Sequence, residues 1–268
     1  MPGKPQTSSK VIVITGASSG IGAAVARLLG ASGTRLVLAA RREDALQEVA
    51  RDAGSATRTV VTDVRRRSDI ERLRDEAVRA CGRVDVWISN AGRGITKPTL
   101  ELTDDEFDEM MTVNVKSALY GMQTIVPYFI SQGSGHVINV SSVLGRVPIA
   151  TIRSAYSAAK AALNSLTANA RVDLEPYPDI HVTLVMPGLV TTEFASQVMG
   201  DRNRSGAVAA APPAGVRPQT PEQVAAVISE VIEKPVPEIF TNPASGDLVR
   251  AYYADVGAFE AARRAPPA

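Results

Sequence analysis

The sequence predicts a doubly wound α/β domain: a seven-stranded parallel sheet with helices on both faces, three layers in all. Three observations predict it. Short β-branched apolar runs recur along the chain, longer amphipathic stretches separate them, and the first run opens into a glycine-rich turn. Runs that are apolar throughout suit strands buried on both faces. Strand-then-helix alternation suits a parallel sheet with crossover helices packed on either side.

In chain order the strand-like runs are 11–15 (VIVIT), 35–40 (RLVLAA), 58–62 (RTVVT), 84–89 (VDVWIS), 136–141 (HVINVS), 181–186 (HVTLVM) and 236–240 (VPEIF). Each is short and rich in β-branched residues, as a buried strand should be. Helical patterns fill the gaps at 20–32, 43–53, 68–81, 103–131, 154–175 and 221–233. Residues 200–220 show no period and are rich in Gly, Ala, Pro and Arg. They read as a surface connection or as a flap over a pocket, since long structureless stretches in compact domains are often lids. The ends, 1–9 and 262–268, read as frayed. The run Arg65–Arg67 reads as a solvated helix start, not a nucleic-acid patch.

Composition excludes several classes. The 268 residues are 45% hydrophobic and 21% charged, which fits a folded domain and not a disordered or fibrous chain. A net charge of +1 gives no broad attraction to nucleic acid or anionic membrane. One cysteine, Cys81, rules out an intrachain disulfide, and with only His136 and His181 beside it no metal site is expected. No stretch of about 20 apolar residues offers a membrane span. The expectation is a soluble protein of a reducing, cytoplasmic compartment.

The segment VIVIT-GASSGIG-AAVARLLG reads as strand, turn, helix, with Gly16, Gly20 and Gly22 in a G-x-x-x-G-x-G spacing. Glycines allow the tight turn and a close backbone approach to a ligand. The helix that follows offers free N–H groups and a positive dipole end to a pyrophosphate. The same residues fit the G-x-S-x-G nucleophile elbow, with Ser18 as nucleophile. A hydrolase also needs a histidine. His136 and His181 both begin predicted strands, where a solvent-facing or capping role is expected.

The end of the second strand bears on which dinucleotide binds. A carboxylate about 20 residues past the glycines would hold the ribose hydroxyls and imply NAD. Ala40-Arg41-Arg42 stands there instead. Alanine accepts no hydrogen bond, whereas Arg41 can meet a 2′-phosphate with charge-assisted bonds. NADP(H) is therefore favoured over NAD(H).

Tyr156 and Lys160 are four apart in SAYSAAKAAL, so a helix puts both on one face. Ser142 closes a predicted strand, at the carboxyl end of the sheet where open α/β folds bind ligands. Asn114 lies inside the fourth helical pattern.

With these pieces in place the chain resembles the short-chain dehydrogenase/reductase family, from about Lys10 to Phe240. The matching residues are Thr15 to Gly22, Asp63-Val64, Asn90-Ala91-Gly92, Asn114, Ser142, the Tyr156–Lys160 stretch, and Pro187-Gly188 followed by Val190 and Thr192. The resemblance implies a Rossmann-like sheet, a nicotinamide cofactor and catalysis by Asn114, Ser142, Tyr156 and Lys160. It implies cofactor contacts from Gly16, Ser18, Ser19, Gly20, Ile21 and Gly22. Asp63 and Val64 would border the adenine, and Asn90, Ala91 and Gly92 the cleft. Pro187, Gly188, Val190 and Thr192 would border the nicotinamide, with Tyr156 and Lys160 also touching cofactor. Ser19 stands where many NADP-dependent relatives carry a basic residue, which leaves Arg41 alone to support the phosphate. Ser141 competes with Ser142, but Ser142 is nearer Tyr156 and precedes Val143-Leu144-Gly145. The family also implies a homodimer or homotetramer through its fourth and fifth helices. Phe107, Met111, Leu119, Tyr128 and Phe129 suit either that interface or the core.

The chemistry expected of such a site follows from charge. A tyrosine hydroxyl has a pKa of ~10, high for acid–base work near neutrality. An ammonium at ~4 Å, with an effective dielectric of about 20, attracts a phenolate by about 4 kcal/mol, equivalent to at most roughly 3 pKa units. Ser142 would donate to the substrate oxygen, Lys160 would bind the nicotinamide ribose, and Asn114 would help hold a proton-relay water. The expected activity is NADP(H)-dependent hydride transfer between nicotinamide and a ketone or aldehyde, reversibly with the alcohol. A non-catalytic dinucleotide-binding regulator and a serine hydrolase using Ser18 are the alternatives. Specificity is expected from 93–99, 143–153 and a substrate-loop region, 193–217. The Val147-Pro148-Ile149-Ala150 segment suggests a mainly apolar pocket.

Overall fold

A computed structural model describes residues 10–150, 152–192, 194, 199–200 and 217–263. The first apolar run, Val11–Thr15, forms β1, and all five of its side chains are buried. Its alternate residues point to opposite faces. Ile12 and Ile14 enter a core with Leu29, Leu46, Val224 and Ile228, while Val13 enters a second core with Leu73, Ile125 and Phe129. A strand with a hydrophobic layer on each side has no place for polar residues, which explains the unbroken apolar run.

The remaining elements follow the alternation. Gly20–Ala31 (α1), Arg35–Ala40 (β2), Glu43–Ala53 (α2), Thr57–Val61 (β3), Arg67–Cys81 (α3) and Val86–Ser89 (β4) form the first half. Then come Ile95–Thr96 (β5), Asp104–Met111 (α4), Ser117–Gln132 (α5), Gly135–Val140 (β6), Ser154–Asp173 (α6), Ile180–Met186 (β7) and Met199–Gly200 (β8). Pro221–Glu233 (α7), Glu238–Phe240 (β9), Pro243–Ala254 (α8) and Val256–Arg263 (α9) complete the described chain. The main sheet has seven strands in the order β3-β2-β1-β4-β6-β7-β9, every pair parallel. The order reverses between β1 and β4. A crevice opens at the carboxyl ends of the strands at that switch point, and ligands of such sheets bind there.

Several expectations are corrected. The pattern at 103–131 is one unbroken helical stretch, as expected, but a π-turn inside it divides α4 from α5. Thr103 and Glu106 form a reciprocal cap at the start of α4, and the backbone from Thr112 to Lys116 widens into a π-turn before α5. The apolar pattern runs through that turn, so the extra residue leaves no trace in the period. Strands β5 and β8 pair parallel in a separate small sheet that no expectation included. Helix α9 reaches Arg263, so the expected frayed end at 262–268 begins too early. The remaining frayed residues, 1–9 and 264–268, and most of the expected substrate loop, 193, 195–198 and 201–216, lie outside the described residues.

His136 is buried at 4% exposure, not solvent-facing, with Nε2 2.8 Å from Thr183 Oγ1; His181, its register partner on β7, is exposed. Phe129 belongs to the core, with Leu119 and Tyr128 packed against it, while Phe107 stays 41% exposed. Val147 is fully buried, and Pro148 and Ala150 line a second cavity beside α8, so the 147–150 segment does not make an apolar wall for the crevice. Among the described residues no helix is long and apolar enough to cross a membrane, and no cluster of His, Cys, Asp and Glu is arranged to hold a metal.

Candidate active site

The chain reverses sharply after β1. Gly16 and Gly20 have φ of +67° and +55°, a region that L side chains rarely adopt. A Cβ on Gly22 would stand 2.4 Å from the Gly16 carbonyl oxygen, so the helix can approach the turn only with glycine there. Asn90 fastens this turn from the end of β4. Its Nδ2 donates to the carbonyls of Thr15 (3.0 Å) and Gly16 (3.2 Å). Thr15 Oγ1 accepts from the amides of Asn90 and Ala91 in return. Asn90 and Ala91 thus build the turn as well as line the cleft.

Helix α1 then begins without an acidic residue in its first turn and without a side-chain cap from Ser19. The serine hydroxyls face a guanidinium instead. Arg42 Nη2 lies 2.8 Å from Ser19 Oγ and 3.3 Å from Ser18 Oγ, and Arg41 lines the same end of the cleft. Arg42 thus places a second guanidinium at this end of the cleft, beside Ser19. Asp63 and Val64 also line this end. The Asp63 carboxylate is taken up by Arg65 at 2.6 Å, which holds its pKa below the usual range. Arg65 in turn reaches Glu109, which pairs with Arg93 at 3.1 Å. The run Arg65–Arg67 is therefore only partly a solvated helix start.

At the other end the π-turn places Asn114, 1% exposed, beneath the loop after β4. Its Oδ1 accepts from the Arg93 amide (3.1 Å), and its Nδ2 donates to the carbonyls of Arg93 (2.9 Å) and Met110 (3.1 Å). Ser142 follows β6 and its hydroxyl hydrogen-bonds Tyr156. The competing Ser141 is turned away, its hydroxyl donating to Asn164 Oδ1 on α6. Lys160 is 4% exposed; its ammonium donates to the Val140 carbonyl at 2.9 Å and lies 5.7 Å from the centre of the Tyr156 ring. Phe194 packs against the same ring at a tilt of 59°, with centroids 5.7 Å apart.

Burial sets the proton affinities here. It pushes the Tyr156 hydroxyl up to about 12, while the bond from Ser142 and the charge of Arg153 pull the other way. It pushes Lys160 down to about 8. At Tyr156 burial outweighs both of these stabilisers of the phenolate.

One cleft of about 630 Å³ joins the two ends, within the range of ligand sites. Gly16, Ser18, Ser19, Gly20, Ile21, Asp63, Val64, Asn90, Ala91, Gly92, Ser142, Tyr156, Lys160, Pro187, Gly188, Val190 and Thr192 line it, as does Arg41. Gly22 and Asn114 stand behind its wall and support it. Glu109 lines the cleft too and no expectation named it, while Arg93, Arg153 and Phe194 fall in the expected specificity ranges without having been singled out, and Arg42 was named without a role. For Arg153 a signal exists: it precedes Tyr156 by three residues, so it faces the same way. No histidine among the described residues lines the cleft, and His136 sits toward the opposite end of β6. Ser18 therefore lacks the base that a hydrolase would need.

Comparison with known proteins agrees with this geometry. The family model described as short chain dehydrogenase matches residues 10–203. An uncharacterized oxidoreductase of Listeria monocytogenes is 33% identical over 231 residues, covering 85% of this chain and 92% of the relative. One from Staphylococcus epidermidis is 33% identical over 200 residues, 74% of this chain and 86% of the relative. A short chain dehydrogenase/reductase from Burkholderia phymatum, solved in complex with NAD, is 29% identical with a TM-score of 0.83, covering 93% of this chain and 94% of that one. A short chain dehydrogenase from Burkholderia cenocepacia, solved in complex with NADP, is 26% identical with a TM-score of 0.78, covering 96% and 98%. The sheet order, the glycine turn and these matches agree: the chain belongs to the short-chain dehydrogenase family and is an oxidoreductase of it.

Proposed function

We propose that the protein transfers a hydride between NADP(H) and the carbonyl carbon of a ketone or aldehyde, with Tyr156 as general acid and base. One observation carries the reading: Ser142, Tyr156 and Lys160 converge at one end of a cleft whose other end offers Arg41 and Arg42. The donor set fits the dinucleotide. Helices α4 and α7 are closed by reciprocal caps, Thr103 with Glu106 and Thr220 with Gln223, whereas α1 has neither side-chain cap nor acid in its first turn. Its N-terminal N–H groups suit a phosphate. Arg41 and Arg42, with the Ser18 and Ser19 hydroxyls, suit a 2′-phosphate.

When bound in reduced form, the nicotinamide supplies the hydride to the carbonyl carbon. The chain's residues handle the proton and the charge. Ser142 donates to the carbonyl oxygen as negative charge develops there. Tyr156, protonated at neutral pH, gives that oxygen its proton, so the carbonyl becomes an alcohol. The phenolate left behind is stabilised by the charges of Lys160 and Arg153. Asn114 holds the Arg93 backbone and with it the cleft wall beside Lys160. In the reverse direction Tyr156 starts as the base, and a raised tyrosine pKa favours reduction near neutrality.

The test is NADPH oxidation at 340 nm over a carbonyl panel, with Tyr156→Phe as control. Turnover that this variant loses supports the reading. Tight NADPH binding with no turnover on any carbonyl would favour a non-catalytic dinucleotide-binding regulator instead.

A further inference from the structure

Six cations line the cleft: Arg41, Arg42, Arg65, Arg93, Arg153 and Lys160. Five have work there. Arg65 pairs with Asp63 and Glu109, and Arg93 with Glu109. Arg41 and Arg42 stand at the phosphate end, and Lys160 sits beside the Tyr156 ring. Arg153 is different. It is half-buried on the turn that starts α6, and among the described residues no carboxylate pairs with it. Its guanidinium makes one hydrogen bond there, from Nη1 to the Ile95 carbonyl at 3.2 Å. Lys97, bridged to it through the backbone, is already neutralised by Glu106 at 2.9 Å.

A guanidinium has five N–H donors in a planar fork. Taking its charge partly out of water without a counterion is costly. Burial disfavours the charge of Arg153, and Tyr156 senses that charge, which places it beside the reacting end and not the phosphate end. The neighbouring Leu144 and Phe194 are apolar and supply no counterion.

We propose that Arg153 receives a carboxylate on the substrate, so that the protein acts on oxo acids and the matching hydroxy acids in preference to neutral ketones. The inference rests on the hydride-transfer reading above and narrows its substrate class. Arg153 and Tyr156 are one helical turn apart, so the carboxylate lies a few bonds from the reacting carbonyl. A planar carboxylate matches the fork with two parallel hydrogen bonds.

The experiment compares 2-, 3- and 4-oxopentanoate, each with its methyl ester, by kcat/KM under saturating NADPH. At least one acid should exceed its ester by tenfold or more. Arg153→Met keeps most of the apolar stem and removes the charge, and it should lower that acid-to-ester ratio at least tenfold, chiefly through KM. Arg153→Lys should restore part of it. Esters preferred over acids in the wild type, or a ratio that Arg153→Met leaves unchanged, would overturn the proposal. An unchanged ratio with both rates lowered would assign Arg153 to tuning Tyr156 or to structure. A second readout is independent of turnover. Pentanoate should raise the melting temperature of the NADP⁺-loaded wild type and not that of NADP⁺-loaded Arg153→Met. If no carbonyl is reduced but this difference appears, the hydride-transfer reading fails and the carboxylate site stands; equal shifts in the two proteins would remove the site.

Discussion

The Lys160 ammonium donates to the Val140 carbonyl at 2.9 Å and stands over the Tyr156 ring, 5.7 Å from its centre. The lysine is thus held by the strand end, with its ammonium beside the tyrosine ring. Burial lowers its pKa to about 8 and raises that of Tyr156 to about 12. The two groups change charge in well-separated ranges.

A pH dependence follows. Below about 8 Lys160 is charged and stabilises the phenolate formed as Tyr156 gives up its proton. Above that value the ammonium loses its proton and the stabilisation goes. Because kcat/KM reports the free enzyme, kcat/KM for NADPH in carbonyl reduction should be level at neutral pH and fall above about pH 8. Lys160→Met should be slow and lack this break. A wild-type profile rising steadily through pH 10 would contradict the assignment.

Cofactor choice should depend on Arg42 as much as on Arg41. A hydrogen bond to a charged group contributes about 1.5–3 kcal/mol, so losing one at this exposed site should raise the Kd for NADPH by roughly tenfold. Arg42→Ala should do so and leave NADH binding nearly unchanged in fluorescence titrations. Equal losses for both cofactors would show that Arg42 supports the glycine turn through Ser18 and Ser19 rather than reading the phosphate.

Asn114 should affect stability as well as rate. Its amide satisfies both the N–H and the carbonyl of Arg93. Asn114→Ala leaves part-buried backbone groups of Arg93 unpaired, at about 1 kcal/mol each, the low end for such groups. Urea denaturation should show a lower midpoint at unchanged slope. A variant as stable as wild type would confine Asn114 to other work.

His136 should contribute to acid sensitivity. Burial, with smaller contributions from His181 and Lys10, lowers its pKa from 6.5 to about 3. The unfolded chain therefore binds a proton as pH falls through about 6.5, while the folded chain resists until about 3. The unfolded state binds more protons in that window, so stability falls as pH drops across it, by on the order of 5 kcal/mol in full. His136→Gln should flatten that part of the stability–pH curve. An identical slope in the variant would assign the acid sensitivity to carboxylates.

Much of this was legible in the sequence, for identifiable reasons. β1 is apolar throughout because both of its faces meet a core, and α2 spans Glu43–Ala53, as its pattern predicts. Tyr156 and Lys160 announce themselves because a helix converts a spacing of four into one face. Other features leave no local signal. The π-turn at Asn114 adds a residue without disturbing hydrophobicity. The pairing of Ile95 with Met199 joins two-residue strands from distant parts of the chain. Helix α9 buries none of its residues, so it has no apolar stripe to read. Arg41 and Arg42 look equivalent in sequence, and only the backbone at the end of β2 decides which guanidinium reaches Ser19. Arg153 lies at the end of the expected 143–153 segment, but its spacing from Tyr156 does not by itself single it out, because an arginine before a helix is usually solvated.

The central claim is that Tyr156 moves the proton while other residues hold the cofactor. Stopped-flow single turnover of Tyr156→Phe with saturating NADPH and a carbonyl that the wild type reduces, paired with fluorescence titration of NADPH, tests it most directly. The rate should fall by about 10²–10⁴, the range for losing a general acid, with the Kd for NADPH within about twofold of wild type. A rate near that of the wild type would contradict it.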